Sequence, residues 1–156
     1  MKSVARVRRY LKRWGLDAKV MELSASTRTA REAAEAVGAE LGSIVKSLLF
    51  LADGKPVLVL VAGDRRADPE KLAKVLKAKR VMIADAETVR EVTGFAIGGV
   101  PPVGHKTKLP TFIDRSLARF DALYAAAGSP HAVFPIPYRQ LLEVTEGIVA
   151  DITEGG

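Results

Sequence analysis

The stretch that decides the fold is IVKSLLFLADGKPVLVLVA, residues 44–62. Its two apolar runs are separated by Asp53 and Gly54, and an Asp-Gly pair favours the tight turn of a β-hairpin because both residues tolerate positive φ. We therefore predict two antiparallel strands, at 44–52 and 56–62. The second run is apolar at every position, which is typical of a central strand whose two faces are both covered.

The rest of the chain alternates strand and helix patterns without a domain break. The predicted strands are 19–23, 80–84, 110–113, 122–126 and 132–136. The first two predicted helices run from Ser3 to Gly15 and from the capping box of Thr29 and Glu32 to Gly38. A third begins at Asp68 and Pro69 and is expected to place Leu72, Val75 and Leu76 inward. The last two run from Asp85 to about Thr93 and over 138–144. These elements indicate an α+β fold, a single domain over residues 1–156 with a mixed, mostly antiparallel sheet flanked by helices.

Composition sets the class of protein. The chain has 156 residues, 48% of them hydrophobic, which suits one domain with a buried core. It has no cysteine and only two, widely spaced histidines, so neither a thiol nucleophile nor a metal-ligand spacing is expected. No apolar run approaches the roughly 18 residues of a membrane span, and the basic N-terminus lacks the apolar stretch of a signal peptide. We expect a soluble, cytoplasmic protein with no cofactor and no membrane partner.

The net charge of +6 comes from one end of the chain. Residues 1–20 hold seven of the 24 basic residues and one of the 18 acidic residues, so the remainder carries 17 of each. The apolar residues of this segment recur at helical spacing with the bases beside them, which indicates an amphipathic helix. The bases form either a solvated face or a contact with nucleic-acid phosphates. The candidate contacts are Arg6, Arg9, Lys12 and Arg13. A second positive stretch between Asp64 and Arg80 weakly favours the phosphate contact.

Lys46 lies inside the first strand of the predicted hairpin. By alternation its side chain shares a face with Ile44, Leu48 and Phe50. An unpaired ammonium is seldom fully buried, because its desolvation is costly. Two interpretations stay open. Either the strand is an edge strand with Lys46 in water, or Lys46 lies at the mouth of a pocket, where its charge acts on an anion or a carbonyl.

The segment GGVPPVGH, residues 98–105, is too rich in glycine and proline for a helix or a central strand. It nearly matches a phosphate-binding loop, but His105 breaks the spacing and Pro110 blocks the following helix, so we exclude ATP binding. What remains is a cradle. Gly98 and Gly99 would allow close approach, and amide hydrogens would face a carbonyl oxygen or a phosphate.

Three further polar side chains lie near predicted loops and are candidates for a functional or a capping role. His131 follows a Gly-Ser-Pro turn at the start of a predicted strand and is a candidate functional residue. His105 is a weaker candidate. Asp114 is expected to cap the short helix that follows it.

Five segments carry a family resemblance. They are TAREAAEAVG (29–38), SIVKSLLFLADGKPVLVLVAGD (43–64), VTGFAIGGVPPVGH (92–105), FIDRSL (112–117) and YAAAGSPHAVFPI (124–136). In order and spacing they resemble the YbaK family, which includes the editing domain inserted in bacterial prolyl-tRNA synthetases and its free-standing relatives. The resemblance runs from about Val4 to Thr153, and its most specific parts are Lys46 and the loop from Gly98 to Pro102. It implies a free-standing deacylase that hydrolyses the ester between a wrong amino acid and the 3′ end of a tRNA.

The resemblance also implies the site residues. Catalysis would use Lys46, Gly98, Gly99 and His131, with water or a tRNA hydroxyl as the attacking group. The substrate contacts would be Val100, Pro101, Pro102, Leu23, Ala126 and Val133. Members that remove cysteine from tRNA-Pro carry polar residues at the last three positions, so cysteine is not expected. His131 resembles the histidine of alanine-removing members. This indicates a small amino acid such as alanine, with tRNA-Pro as a candidate acceptor and another apolar amino acid as the alternative.

Two other classes of function stay open. One is a tRNA-binding module of the same fold without catalysis. The other is a small-molecule hydrolase or phosphate sensor that uses the same loop. That class of function does not account for the basic residues of the first helix. Salt-dependent binding of tRNA would separate this last class from the first two. The sequence sets no oligomeric state.

Overall fold

The computed structural model describes residues 2–155, and the eight strands of this part of the chain lie in one mixed sheet. The strands are β1 (Met21–Glu22), β2 (Ile44–Ala52), β3 (Lys55–Ala62), β4 (Val81–Ile83), β5 (Thr111–Asp114), β6 (Ala122–Ala126), β7 (Ala132–Pro137) and β8 (Ile148–Ala150). The α-helices are α1 (Lys2–Leu11), α2 (Ala30–Val37), α3 (Pro69–Leu76), α4 (Ala86–Thr93) and α5 (Tyr138–Thr145). Within residues 2–155 no helix is both long and apolar enough to cross a membrane.

The hairpin of β2 and β3 forms the centre of the sheet, as predicted. The two strands pair antiparallel from Val45 opposite Ala62 to Ala52 opposite Lys55. The turn between them places Asp53 at φ 50° and Gly54 at φ 83°, the positive values that a two-residue hairpin turn requires. β3 also pairs with β5, and its residues 57–62 are all buried, which confirms a central strand covered on both faces.

The second edge of β2 is shared by two strands that leave a gap between them. β6 runs parallel to the start of β2, where Ile44 and Val45 are its register partners. β4 runs antiparallel to the end of β2, from Phe50 to Ala52. Among the described residues, positions 46–48 therefore have a strand partner only in β3. This edge of the sheet is open in its middle.

The whole sheet has the order β1-β7-β6-β2-β3-β5-β8, with β4 beside β2. Four strand pairs are antiparallel and three are parallel, so the prediction of a mixed, mostly antiparallel sheet is confirmed. Val7 of α1, Val89 of α4 and Leu141 of α5 pack in the main core cluster on one face. α2 and α3 cover the other face through two smaller clusters that contain Ala33 and Leu72.

Several local predictions need correction. α1 already includes Lys2, so Ser3 lies inside the helix rather than at its cap. Val75 was expected to face inward but is 38% exposed, because α3 has only two turns and contacts the sheet mainly through Leu72 and Leu76. The strand expected at 19–23 is limited to Met21–Glu22, because the preceding residues form a 3₁₀ turn. β8 carries no strand pattern in the sequence, since two of its three residues are exposed.

Asp114 ties the C-terminal segment to the sheet. Its carboxylate accepts hydrogen bonds from the backbone N–H of Ser116 at 3.0 Å, as predicted for a cap, and also from the N–H of Ile152 and the hydroxyl of Thr153. The residue is fully buried. Burial opposes the charged form, but these hydrogen bonds outweigh it and hold the pKa of Asp114 below its usual range.

We expect Asp114→Asn to lower the free energy of unfolding by about 2–3 kcal/mol, because an amide NH₂ must then face a buried N–H donor. The contribution of a carboxylate with a lowered pKa is complete above its unfolded pKa and is lost as the pH falls through the lower folded pKa. The gap between wild type and variant should therefore shrink on strong acidification. Urea titrations over pH test this, with the exposed Asp121→Asn as the control. A gap that does not vary with pH would contradict the role of the charge.

Candidate active site

A pocket of about 340 Å³ lies at the open edge of β2. Its walls include Val89, which belongs to the main core cluster, and Ala33, which belongs to the α2 cluster on the other face of the sheet. The pocket thus lies on both sides of the stretch 46–48, whose side chains alternate between the two faces and which, among the described residues, has no strand partner on this edge. This stretch supplies Lys46, Ser47 and Leu48 to the lining.

Lys46 is the charged group of this wall. Its ammonium donates a hydrogen bond to the backbone carbonyl of Arg65 at 2.5 Å and is half-buried. Burial lowers the pKa of Lys46 below its usual range, the nearby charge of Arg66 lowers it further, and the carboxylate of Asp64 opposes the shift. The interpretation of an edge strand with Lys46 in water does not fit, because the side chain is half-buried and its ammonium is hydrogen-bonded to the backbone. The side chain lies at the pocket, on the face predicted by alternation.

The loop at residues 98–100 forms another wall, and its glycines allow two close approaches. Gly98 has φ 94°, and a Cβ there would lie 2.5 Å from the side chain of Arg28. A Cβ at Gly99 would lie 2.9 Å from the backbone of Ser129, next to the hydrogen bond of 3.0 Å from Gly128 N–H to the Gly99 carbonyl. The loop therefore packs directly against the turn before β7.

The amides of this loop are not equivalent. The N–H of Gly99 donates to the carbonyl of Ala96 at 3.0 Å and is already paired. The N–H groups of Gly98 and Val100 have no acceptor within residues 2–155, and both residues line the pocket. Pro101 and Pro102 are buried behind the loop and do not line the pocket, so they support the wall rather than form it.

The structure brings together some of the sequence-predicted side chains and separates others. Ala126 and Val133 line the pocket beside Val100. Leu23 lies outside it and packs against the α2 cluster. His131 also lies outside the lining. It is exposed, and its Nδ1 lies 3.1 Å from the carbonyl oxygen of Ala25.

Among the pocket residues that sequence analysis missed are Thr27, Arg28 and Ser47. Thr27 is 4% exposed and Ser47 is half-buried, yet neither hydroxyl has a hydrogen-bond partner among the described residues. A buried hydroxyl without a partner is costly, and both can donate and accept hydrogen bonds to a bound substrate. Arg28 is exposed and lies over Gly98. Only Ser47 could have been found from the sequence, because it alternates with Lys46 on the strand.

Of the four cations proposed for tRNA contact, Arg6 and Arg9 are on α1 and the other two, Lys12 and Arg13, are in the 3₁₀ turn that follows it. The guanidinium of Arg6 lies 5.0 Å from the ring centre of Phe95, and that of Arg13 lies 5.3 Å from the ring of Tyr10. Arg9 and Lys12 are exposed. None of them lines the pocket, and their contact with tRNA stays a prediction.

His105 does not line the pocket and contacts the backbone of its own loop. Its Nε2 lies 2.6 Å from the carbonyl oxygen of Pro101, and burial lowers its pKa. Within residues 2–155 there is no group of three or more His, Cys, Asp or Glu side chains that could hold a metal ion.

Comparison with known proteins identifies the family of this chain and two of its relatives. Residues 24–144 match the model of the aminoacyl-tRNA editing domain. The chain is 34% identical over 142 residues to "Uncharacterized protein YwhH" of Bacillus subtilis, with 90% of each chain covered. It is 29% identical to "Putative Cys-tRNA(Pro)/Cys-tRNA(Cys) deacylase EbsC" of Enterococcus faecalis, covering 80% of this chain and 77% of the relative.

Solved structures give the same result. A structure described as "a putative trans-editing enzyme for prolyl tRNA synthetase" superposes with a TM-score of 0.92 at 47% identity, covering 99% of both chains. The proline–tRNA ligase of Desulfovibrio desulfuricans is 43% identical over 81 residues, which are 52% of this chain and 14% of the ligase. The resemblance and the fold predicted from the sequence are confirmed, and the chain belongs to the aminoacyl-tRNA editing domain family.

Proposed function

We propose that the protein is a trans-acting deacylase, active in the cytoplasm, that hydrolyses the ester of a mischarged tRNA carrying a small amino acid such as alanine. The observation that carries this proposal is the composition of the pocket. It combines the Lys46 ammonium and the N–H groups of Gly98 and Val100, which have no acceptor among residues 2–155, with the apolar side chains of Ala126 and Val133.

The chemistry needs no protein nucleophile, because the ester is already activated. Water attacks the carbonyl carbon, since attack by the adjacent hydroxyl of the terminal ribose would only move the acyl group to that oxygen and release no amino acid. The carbon–oxygen bond to the tRNA then breaks, and the tRNA oxygen takes up a proton. Negative charge develops on the carbonyl oxygen, where the N–H groups of Gly98 and Val100 stabilise it. Lys46 attracts the phosphate of the terminal nucleotide and fixes the ester beside the loop.

The remaining predicted residues have supporting roles in this proposal. Gly99, Pro101 and Pro102 hold the loop against the turn before β7. His131 fixes the segment before α2 through the Ala25 carbonyl, and Leu23 packs beneath that segment. A small second site is useful because a synthetase rejects an amino acid smaller by one methylene only about 10–200-fold.

The first test is release of labelled amino acid from a panel of mischarged tRNAs, including alanyl-, cysteinyl- and leucyl-tRNA-Pro. We expect alanine to be released fastest, because the apolar wall at Ala126 and Val133 offers the cysteine thiol no polar partner. Release of none of the amino acids, with salt-dependent binding of tRNA retained, would favour a binding module of the same fold. Fast release of cysteine alone would contradict the proposed specificity.

Removing the ammonium should impair turnover. We expect Lys46→Ala to lower kcat/KM on the preferred substrate by about 100-fold or more, the usual effect of losing one preorganised electrostatic contact. Lys55→Ala is the matched control, because Lys55 is exposed on the same hairpin and does not line the pocket. Equal activities for the two variants would exclude Lys46 from the reaction.

Ser47→Ala separates substrate contact from folding. Because the Ser47 hydroxyl has no hydrogen-bond partner within the part of the chain that the structure describes, we expect a free energy of unfolding equal to that of wild type or slightly higher. We also expect kcat/KM to fall by about tenfold, the effect of losing one hydrogen bond to bound substrate. Denaturant titration and deacylation kinetics measure the two effects, with the exposed Ser24→Ala as control. Unchanged kinetics would show that the hydroxyl does not contact the substrate.

A further inference from the structure

A second depression, the groove, adjoins the pocket on the α3 side of Lys46. It has a volume of about 470 Å³ and is lined by residues that include Arg66, Ala67 and Pro69. Lys46, Leu48 and Ile83 line both the pocket and the groove. A ligand that fills the pocket can therefore extend past Lys46 into the groove while it stays in contact with the protein.

The groove is suited to an anion. Arg66 is exposed, and its guanidinium forms no ion pair within residues 2–155, whereas the neighbouring Arg65 lies 3.9 Å from the carboxylate of Asp64. The charges of Arg66 and Lys46 are close enough to disfavour each other, which an anion between them would relieve. Glu154 also lines the groove, so its walls carry two cations and one carboxylate.

The groove also has an apolar wall. Ile83 of β4 is 61% exposed although it is a large aliphatic residue, and it stands where pocket and groove meet. Ile83 is the register partner of Phe50, so it shares a face of the sheet with Leu48, which also lines pocket and groove. Sites for single-stranded nucleic acid combine cations, which contact the backbone, with aromatic side chains, which contact the bases. Here the exposed aliphatic side chain of Ile83 offers an apolar contact of the second kind beside the cation of Arg66.

We propose that the groove binds the penultimate nucleotide of a tRNA 3′ end, with Arg66 on the phosphodiester that joins it to the terminal adenosine and Ile83 against its base. This rests on the proposed function, which places the ester of the terminal adenosine in the pocket. In this arrangement the last two nucleotides of the tRNA 3′ end contact the surface around Lys46 and do not contact α1.

Two substrates of different length test the groove. One is the alanyl ester of adenosine, which has no phosphodiester, and the other is the alanyl ester of the dinucleotide cytidylyl-adenosine. We expect Arg66→Gln to lower kcat/KM for the dinucleotide ester by about tenfold, as for the loss of one charge-assisted contact, and to leave the adenosine ester unchanged. Arg80→Gln is the matched control. It removes the same charge from the same positive stretch, but Arg80 does not line the groove. Equal losses on both esters, or the same loss in Arg80→Gln, would overturn the assignment.

Binding of an oligonucleotide that ends in CCA and carries no amino acid tests the groove without catalysis. Fluorescence anisotropy over a salt series gives the slope of log K against log salt, and loss of one phosphate contact should reduce that slope by about 0.7. If wild type hydrolyses nothing but the slope falls in Arg66→Gln, the groove stands and the proposed deacylase function fails. If hydrolysis is intact and Arg66→Gln changes neither the slope nor the dinucleotide kinetics, the groove assignment fails alone.

Discussion

The site depends on one constraint, which is that β2 is paired along the whole of one edge but only at the two ends of the other. Eight register pairs with β3 fix the position of the strand, while among the described residues β6 and β4 leave the stretch 46–48 without a partner on the other edge. Because side chains alternate, this stretch sends Lys46 to one face and Ser47 to the other. A pocket at such a gap is lined by both the ammonium of Lys46 and the hydroxyl of Ser47. A register slip of one residue would exchange the ammonium and the hydroxyl, so the hairpin turn at Asp53 and Gly54 also sets the chemistry of the pocket.

A second set of contacts fixes the ammonium from a distance. Asp114 binds the N–H of Ile152 and the hydroxyl of Thr153, and Thr153 forms a β-bridge with Ala67. The N–H of Glu154 then donates to the carbonyl of Arg66, next to the Arg65 carbonyl that holds Lys46. A buried carboxylate on β5 thus orders the backbone that carries both the acceptor for Lys46 and the guanidinium of Arg66. The C-terminal segment is part of the support of the site, although it contributes no catalytic group.

The sequence predicted what local backbone chemistry determines. The Asp-Gly turn, the capping box of Thr29 and Glu32, and the cap at Asp85 all formed as expected, because each depends on residues within one turn. The short β8 was missed because a three-residue, mostly exposed strand is defined by its partner β5 and has no pattern of its own. The pocket could be predicted only in part. That Arg28 lies over Gly98, and that the Gly128 amide donates to the Gly99 carbonyl, are consequences of how separate loops meet.

The energetics of Lys46 explain why the residue was ambiguous in the sequence. A half-buried ammonium is tolerated because the Arg65 carbonyl replaces part of its hydration, yet the adjacent Arg66 charge makes the same position less favourable. Two cations, Lys46 and Arg66, lie beside the mostly apolar pocket, and the hydroxyls of Thr27 and Ser47 have no partner among residues 2–155. This surface is therefore incompletely satisfied on its own. Such groups weaken the folded state without ligand, and binding of an anionic, hydrogen-bonding molecule relieves that cost. The features that disagree with the rules for a stable core are therefore the ones that point to the ligand.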